Sequence, residues 1–145
     1  MADLKVNFAG LDLKNPLMLA SVTPGWDGQR LKDAGQAGFG AVISKTISPR
    51  DAWNAHPRNG RIVLYRVGNK PVGMINMELF TTQPREQWFN QELLIARDGG
   101  AEVCASILAM PDPEVTAELV EELQDTGMVD FFEMNASCPM PSKGV

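Results

Sequence analysis

The sequence predicts an α/β fold in which a parallel sheet is covered by helices, and three observations carry that expectation. Short apolar runs that read as buried strands alternate with segments that read as helices. The helical segments are punctuated by capping residues and glycines at their ends. Polar side chains gather at the C-terminal ends of the apolar runs, where parallel α/β folds keep their ligand sites.

The elements follow in order. LKVNFAGLDLKNP has period-2 character around Gly10 and predicts a short N-terminal hairpin. PLMLAS (16–21) is a brief apolar run that reads as a buried strand. Asp27 is a good N-cap for a helix running to about Gln36. AVISKT (41–46) reads as the next buried strand. Residues 47–73 form a long irregular insert with Pro49, Pro57 and Gly60, and a strand-like IVLYRV (62–67) inside it. GMINMEL (73–79) is another apolar stretch. A helix is expected from Pro84, favourable in a first turn, to the Gly99–Gly100 stop. AEVCASIL (101–108) reads as a strand. Asp112 and Pro113 open a helix whose buried face is marked by Val115, Leu119 and Leu123, and Gly127 closes it. VDFFEMN (129–135) is the last strand, and it leads into Ala136-Ser137-Cys138-Pro139.

A chain of 145 residues is long enough for one domain with a real core. Its net charge of −5, from 13 Lys and Arg against 18 Asp and Glu, and the lack of a basic cluster argue against general nucleic-acid binding. No apolar stretch is long enough for a transmembrane helix, and MADLKVNFAG lacks the apolar stretch of a signal peptide. The cysteines, Cys104 and Cys138, show no CxxC or Cys/His spacing, so no metal or iron–sulfur site is expected. Free thiols without an export signal fit the reducing cytosol, and a cytoplasmic location is expected.

The polar residues at strand ends are Ser21, Lys45, Thr46, Asn76, Glu78, Ser106, Asn135 and Cys138. Each has a plain structural alternative. Lys45 is either a solvated rim residue or, by alternation after AVIS, an inward-pointing cation. Asn76 is either a turn residue satisfying its own backbone or a ligand contact. Glu133 shares parity with Phe131 and Asn135, so it faces either a polar surface or an interior. In the interior it needs a cationic partner, and Lys45 is the obvious one. Cys104, between Val103 and Ala105, reads as a small core hydrophobe. His56, the one histidine, reads as a surface-loop residue.

NPLMLASVTP, the AGQAGFGAVISKTIS segment, MINMEL and FFEMNASCP, in that order, resemble the flavin-dependent dihydroorotate dehydrogenase superfamily. The closer likeness is to the flavin mononucleotide (FMN) barrel of dihydropyrimidine dehydrogenases. The resemblance implies the N-terminal half, about four βα units, of a (β/α)8 TIM barrel preceded by the hairpin, with residues 1–145 forming part of a single FMN-binding domain cut after strand 4. It implies FMN contacts from Ala20, Ser21, Lys45, Thr46, Ser106 and Asn135, and substrate contacts from Asn76, Glu78, Leu79 and Asn135. Lys45 would lie beside the flavin ring and Cys138 would act as general acid or base; no metal is implied.

The implied reaction moves hydride between FMN and a CH–CH/C=C pair of a small cyclic substrate. Met140, where the superfamily commonly carries Asn or His, widens that substrate from a pyrimidine to other conjugated cyclic compounds, because methionine donates no hydrogen bond. Electrons would come from a partner subunit or domain, since no nicotinamide fingerprint occurs. The chain would need an oligomer or a complementary half to close the barrel. Three alternatives stay open: dihydroorotate oxidation proper, a non-catalytic half-barrel acting as a binding or scaffolding subunit, and a non-flavin barrel fragment acting on a phosphorylated sugar, against which the lack of phosphate-binding glycines counts.

Overall fold

A computed structural model of the chain describes residues 2–49, 62–76 and 80–136. Strands β1 (Val6–Phe8) and β2 (Leu11–Leu13) form the expected hairpin. Its two-residue connection places both Ala9 (φ 50°) and Gly10 (φ 83°) in the left-handed region, the twist a tight hairpin needs.

The main sheet has four strands, all parallel, in the order β3 (Met18–Leu19), β4 (Ala41–Ile43), β7 (Glu102–Leu108), β8 (Phe131–Asn135). Spatial order thus follows chain order, and helices make the crossovers. Helix α1 (Gly28–Gln36) starts at Asp27, whose carboxylate accepts from Arg30 N at 2.9 Å. Helix α4 (Pro113–Asp125) starts at Asp112, whose carboxylate accepts from Glu114 N at 3.0 Å, and Gly127 (φ 66°) follows its end. Its buried positions are Thr116, Leu119 and Leu123; Val115 is half-buried. Thr116 takes its place because its hydroxyl accepts from Met110 N at 3.0 Å.

Two expectations change in detail. The helix after Pro84 is not uniform: α2 (Arg85–Gln87) passes through a π turn, Trp88–Glu92, into α3 (Leu93–Arg97). Trp88 and Leu93, five residues apart across the wider turn, are both fully buried. Trp88 is fully buried and donates to Thr81 Oγ1 at 2.9 Å. The Glu92 carboxylate accepts from Gly28 N at 2.6 Å and from Gln87 Nε2 at 2.8 Å, so it caps α1 from a different helix. A Cβ at Gly28 would lie 2.2 Å from the Glu92 carbonyl oxygen, which makes glycine the residue that permits this approach.

Residues 62–76 carry more regular structure than their sequence suggests. β5 (Ile62–Val67) and β6 (Lys70–Asn76) pair antiparallel as a ribbon, with an irregularity at Tyr65/Arg66. Val63, Leu64, Tyr65, Val67, Val72, Met74 and Ile75 along it are all exposed.

The core lies between the sheet and the helices. Val42, Val103, Ala105 and Ile107 pack there against Leu31, Trp88, Leu93, Leu119 and Leu123. By alternation, Ile43, Cys104, Ser106 and Leu108 point to the opposite face, where β8 adds Phe131, Glu133 and Asn135 in register. The hairpin touches this face at its lower end: Phe8 meets Phe131 edge-on with centroids 6.0 Å apart.

Candidate active site

Parallel strands deliver their C-terminal ends to one edge of the sheet, and four polar residues meet there. Asn135, the last residue of β8, donates from Nδ2 to Thr46 Oγ1 at 3.0 Å. Thr46 Oγ1 lies 3.1 Å from Ser106 Oγ on β7 and, at a longer 3.4 Å, from Ser21 Oγ just beyond β3. All four parallel strands are thus tied through a single hydroxyl.

A hydroxyl has one hydrogen to give and two lone pairs to receive. Asn135 occupies one lone pair of Thr46. Of the two serines, Thr46 then donates to one and accepts from the other, so its capacity is filled by protein. Thr46 and Ser106 are buried, whereas Ser21 and Asn135 are half-buried and line an open cavity. That cavity, of about 500 Å³, is bordered by Ala20, Ser21, Val22, Glu133, Met134, Asn135 and Ala136. A more apolar groove of about 470 Å³ lies between α4 and the end of β8, lined by Met110, Val120, Glu121 and Met134 among others. It gathers little chemistry and reads as a packing surface.

The segment carrying Lys45 is buried throughout and locked to its neighbours. Ser44 N donates to Cys104 O at 3.0 Å, Lys45 N to Gly25 O at 2.7 Å and Ile47 N to Ser106 O at 2.7 Å. Lys45 is 4% exposed, and its Nζ sits 5.8 Å from the centroid of the Trp26 ring. The ion pairs among the described residues do not join Lys45 to Glu133; they join Arg30 to Asp27, Lys32 to Asp98, Arg85 to Glu122 and Arg97 to Asp130. Glu133 instead faces the inner side of the sheet near Cys104.

The Cys104 thiol is pushed up to about 12, first by burial and next by the Glu133 carboxylate, with a backbone hydrogen bond from Glu133 working the other way. It is fully buried and is the core residue expected of it, not a nucleophile.

Of the sequence-predicted residues, Ser21, Thr46, Ser106 and Asn135 are joined directly, and Ala20 borders their cavity. Lys45 precedes Thr46 in the chain. Asn76 ends β6, paired with Ile62, and its side chain lies outside the described residues, as do Glu78, Leu79, Cys138 and His56. Two participants were not foreseen. Trp26, over Lys45, follows a Thr-Pro-Gly turn that could have flagged it. Ser44, whose hydroxyl accepts from Ser106 N at 3.1 Å, sits inside a run that reads as plain strand.

No protein-family model matches the chain. Among curated proteins, it is 32% identical over 149 residues to the chloroplastic dihydropyrimidine dehydrogenase (NADP(+)) of Arabidopsis thaliana, across 97% of this chain and 35% of that protein. It is 33% identical over 141 residues to the catalytic subunit of dihydroorotate dehydrogenase B (NAD(+)) of Thermoplasma acidophilum, across 96% of this chain and 43% of that one. To the same subunit of Methanocella arvoryzae it is 35% identical over 134 residues, across 92% and 40%. The chain therefore spans about two fifths of the length of the curated relatives it matches.

Proposed function

We propose, for a chain that belongs to the dihydroorotate dehydrogenase-like superfamily, that it forms the N-terminal half of a (β/α)8 barrel and one wall of an FMN site in an oxidoreductase of the dihydropyrimidine or dihydroorotate dehydrogenase type. The observation that carries this reading is the meeting of four strand ends on Thr46 Oγ1, beside a buried lysine and an open cavity. The four-strand order, with each strand beside its predecessor, supports the barrel reading.

The residues fit a flavin ring. Such a ring offers edge atoms that both donate and accept hydrogen bonds, and it gathers negative charge on reduction. Ser21 and Asn135 border the cavity with polar side chains, Ala20 lies beside them, and Lys45 brings a cation. Thr46 and Ser106 then serve the cofactor by holding Asn135 and Ser21 in place.

When bound, FMN supplies hydride transfer to or from a CH–CH/C=C pair of a small conjugated cyclic substrate. Asn76, Glu78, Leu79 and Asn135 would hold that substrate, and Cys138 would give or take the proton. A thiol suits that task because its pKa can be tuned toward neutrality. The remaining barrel strands would come from the rest of the protein or from a partner chain, and electrons from an electron-transfer subunit or domain. No helix among the described residues is long and apolar enough to cross a membrane.

The test is a visible spectrum of the protein titrated with FMN, with its mass in solution. A bound-flavin band accompanied by a dimer or larger mass is expected; failure to take up FMN overturns the reading. In the flavin-loaded protein, Cys138→Ala should leave flavin reduction intact and lower substrate turnover by about 10²–10⁴-fold. The exposed apolar ribbon β5–β6 favours a second reading, a non-catalytic binding subunit. A colourless protein that captures a partner chain would support it.

A further inference from the structure

An ammonium group that is 4% exposed has lost most of its water and must be held by what surrounds it. The sequence between β3 and α1 supplies one such surface. Thr23–Gly25 forms a single 3₁₀ turn, and Gly25 O accepts from Lys45 N at 2.7 Å. A Cβ on Gly25 would lie 2.5 Å from Ile43 O, so glycine is what lets the turn lie flat on the end of β4.

That approach delivers the next residue, Trp26, onto the Lys45 side chain. Its indole is half-buried and its backbone is tied at both ends: N donates to Thr23 O at 3.2 Å, and O accepts from Gln83 Nε2 at 3.4 Å. Nζ at 5.8 Å from the ring centroid lies within the range where the face of an indole attracts a cation. Tryptophan is the best of the aromatic side chains for this, because its face carries the strongest negative potential.

We propose that Trp26 is the positioning residue for Lys45: its ring fixes the ammonium at the strand-end site, and so sets how strongly that site favours a ligand that becomes anionic. The inference rests on the reading of the site as a flavin site for its consequence, but the contact itself is independent of any ligand. Trp26 acts through Lys45 and is assigned no contact with substrate or cofactor.

Two measurements test it on wild-type protein and on the Trp26→Phe, Trp26→Leu, Lys45→Met and Trp26→Leu/Lys45→Met variants. The first uses protein labelled with ¹³C at the lysine ε-carbon and needs no flavin. The ε-methylene protons of Lys45, identified by their loss in Lys45→Met, should lie upfield of the other lysines through the indole ring current. They should stay upfield in Trp26→Phe and fall among the other lysines in Trp26→Leu. An unmoved signal in Trp26→Leu overturns the proposal, and Trp26→Phe keeps the test usable if the leucine variant fails to fold.

The second is the midpoint potential of bound FMN. Loss of a well-placed cation should shift it by about −30 mV, which is a tenfold weakening of the reduced form relative to the oxidised form for a two-electron couple. Trp26→Leu should shift it in the same direction by less than Lys45→Met, and the double variant no more than Lys45→Met alone. Additive shifts would mean that Trp26 acts without Lys45 and would overturn the positioning role. If wild-type protein takes up no FMN, the flavin reading fails, and the resonance measurement still decides whether the indole holds the lysine.

Discussion

The two ends of the parallel sheet are built from different chemistry. At the C-terminal ends, Ser21, Thr46, Ser106 and Asn135 join through uncharged groups, with Lys45 set beside Trp26. At the N-terminal ends the ties are ionic. Asp130, just before β8, accepts from Val103 N at 2.7 Å and pairs with Arg97 at the end of α3, while Glu102 opens β7 beside it. Lys14, following β2, donates to Gly35 O at 3.3 Å and Gly100 O at 3.0 Å, so it ties together the ends of α1 and α3. Charges at the half-exposed lower end keep much of their hydration and serve to join chain ends. At the buried upper end a hydroxyl network satisfies itself without adding net charge. In parallel α/β folds the lower end serves stability and the upper end serves function.

Removing Asp130 should break the comparison most visibly. Asp130→Ala leaves Val103 N–H without its acceptor and Arg97 without its carboxylate, and should cost about 2–3 kcal/mol in urea unfolding. Asp130→Asn keeps an oxygen for Val103 N–H and should recover part of that loss. Neither variant should change FMN affinity per folded molecule. A change in affinity as large as the change in stability would mean that the two ends are not separate in role.

Thr46→Val is the counterpart at the upper end. It keeps the shape and removes the hydroxyl, so Asn135 Nδ2 loses its acceptor and both serines lose a partner. The stability cost should be smaller, about 1–2 kcal/mol. FMN uptake should weaken by about tenfold or more, because Asn135 and Ser21 are no longer held. A variant that unfolds easily yet binds FMN normally would reduce Thr46 to a structural bolt.

The contrast also explains what could be read from the sequence. Helix α1 and helix α4 were legible because their signals are local: Asp27 and Asp112 as caps, Gly127 as a stop, and an i, i+4 apolar face. The strand-end cluster was legible as a list, because polar residues at the tips of apolar runs stand out. That Thr46 is its hub was not, because hydroxyl-to-hydroxyl contacts 60 residues apart leave no trace in spacing. The contact of Glu92 with Gly28 N of another helix was not legible either, because a tertiary contact leaves no mark in local spacing. PLMLAS proved longer than its strand, Met18–Leu19, because Ala20 and Val22 close a turn there. The Glu102–Asp130 pair was hidden for the same reason as the hub: its two members lie on different strands' ends.

That pair gives a pH-dependent prediction. Burial, then a hydrogen bond with Asp130 and its charge, raise the Glu102 pKa above its ordinary 4.5, while Arg97 opposes them. A carboxyl with a raised folded-state pKa contributes stability that is complete below 4.5 and is lost as pH rises through the folded value. Glu102→Gln, which stays neutral, should therefore match the wild type in acid and gain on it as pH rises from 4.5 toward neutrality. Unfolding midpoints of both proteins across that range decide the matter. A difference that stays constant with pH would mean that the two carboxyls do not share a proton-dependent contact.

The smallest expected effect concerns Cys104, which lies between the two ends on the inner face. With its thiol pushed up to about 12, it holds almost no thiolate at pH 8, and it is fully buried. Alkylation of Cys104, followed by peptide mass, should therefore proceed only through unfolding and should track stability as urea is added. Cys104→Ala should cost about 1 kcal/mol, the loss of one buried sulfur. The sign of the pH effect follows from the raised value: the neutral thiol's contribution is complete below the ordinary 9.0 and is lost as pH rises toward 12. The wild type should accordingly lose stability relative to Cys104→Ala above pH 9. Rapid alkylation at pH 8 without urea would instead mean that the inner face opens to solvent at its middle, and the division between a structural lower end and a functional upper end would lose the sealed layer that separates them.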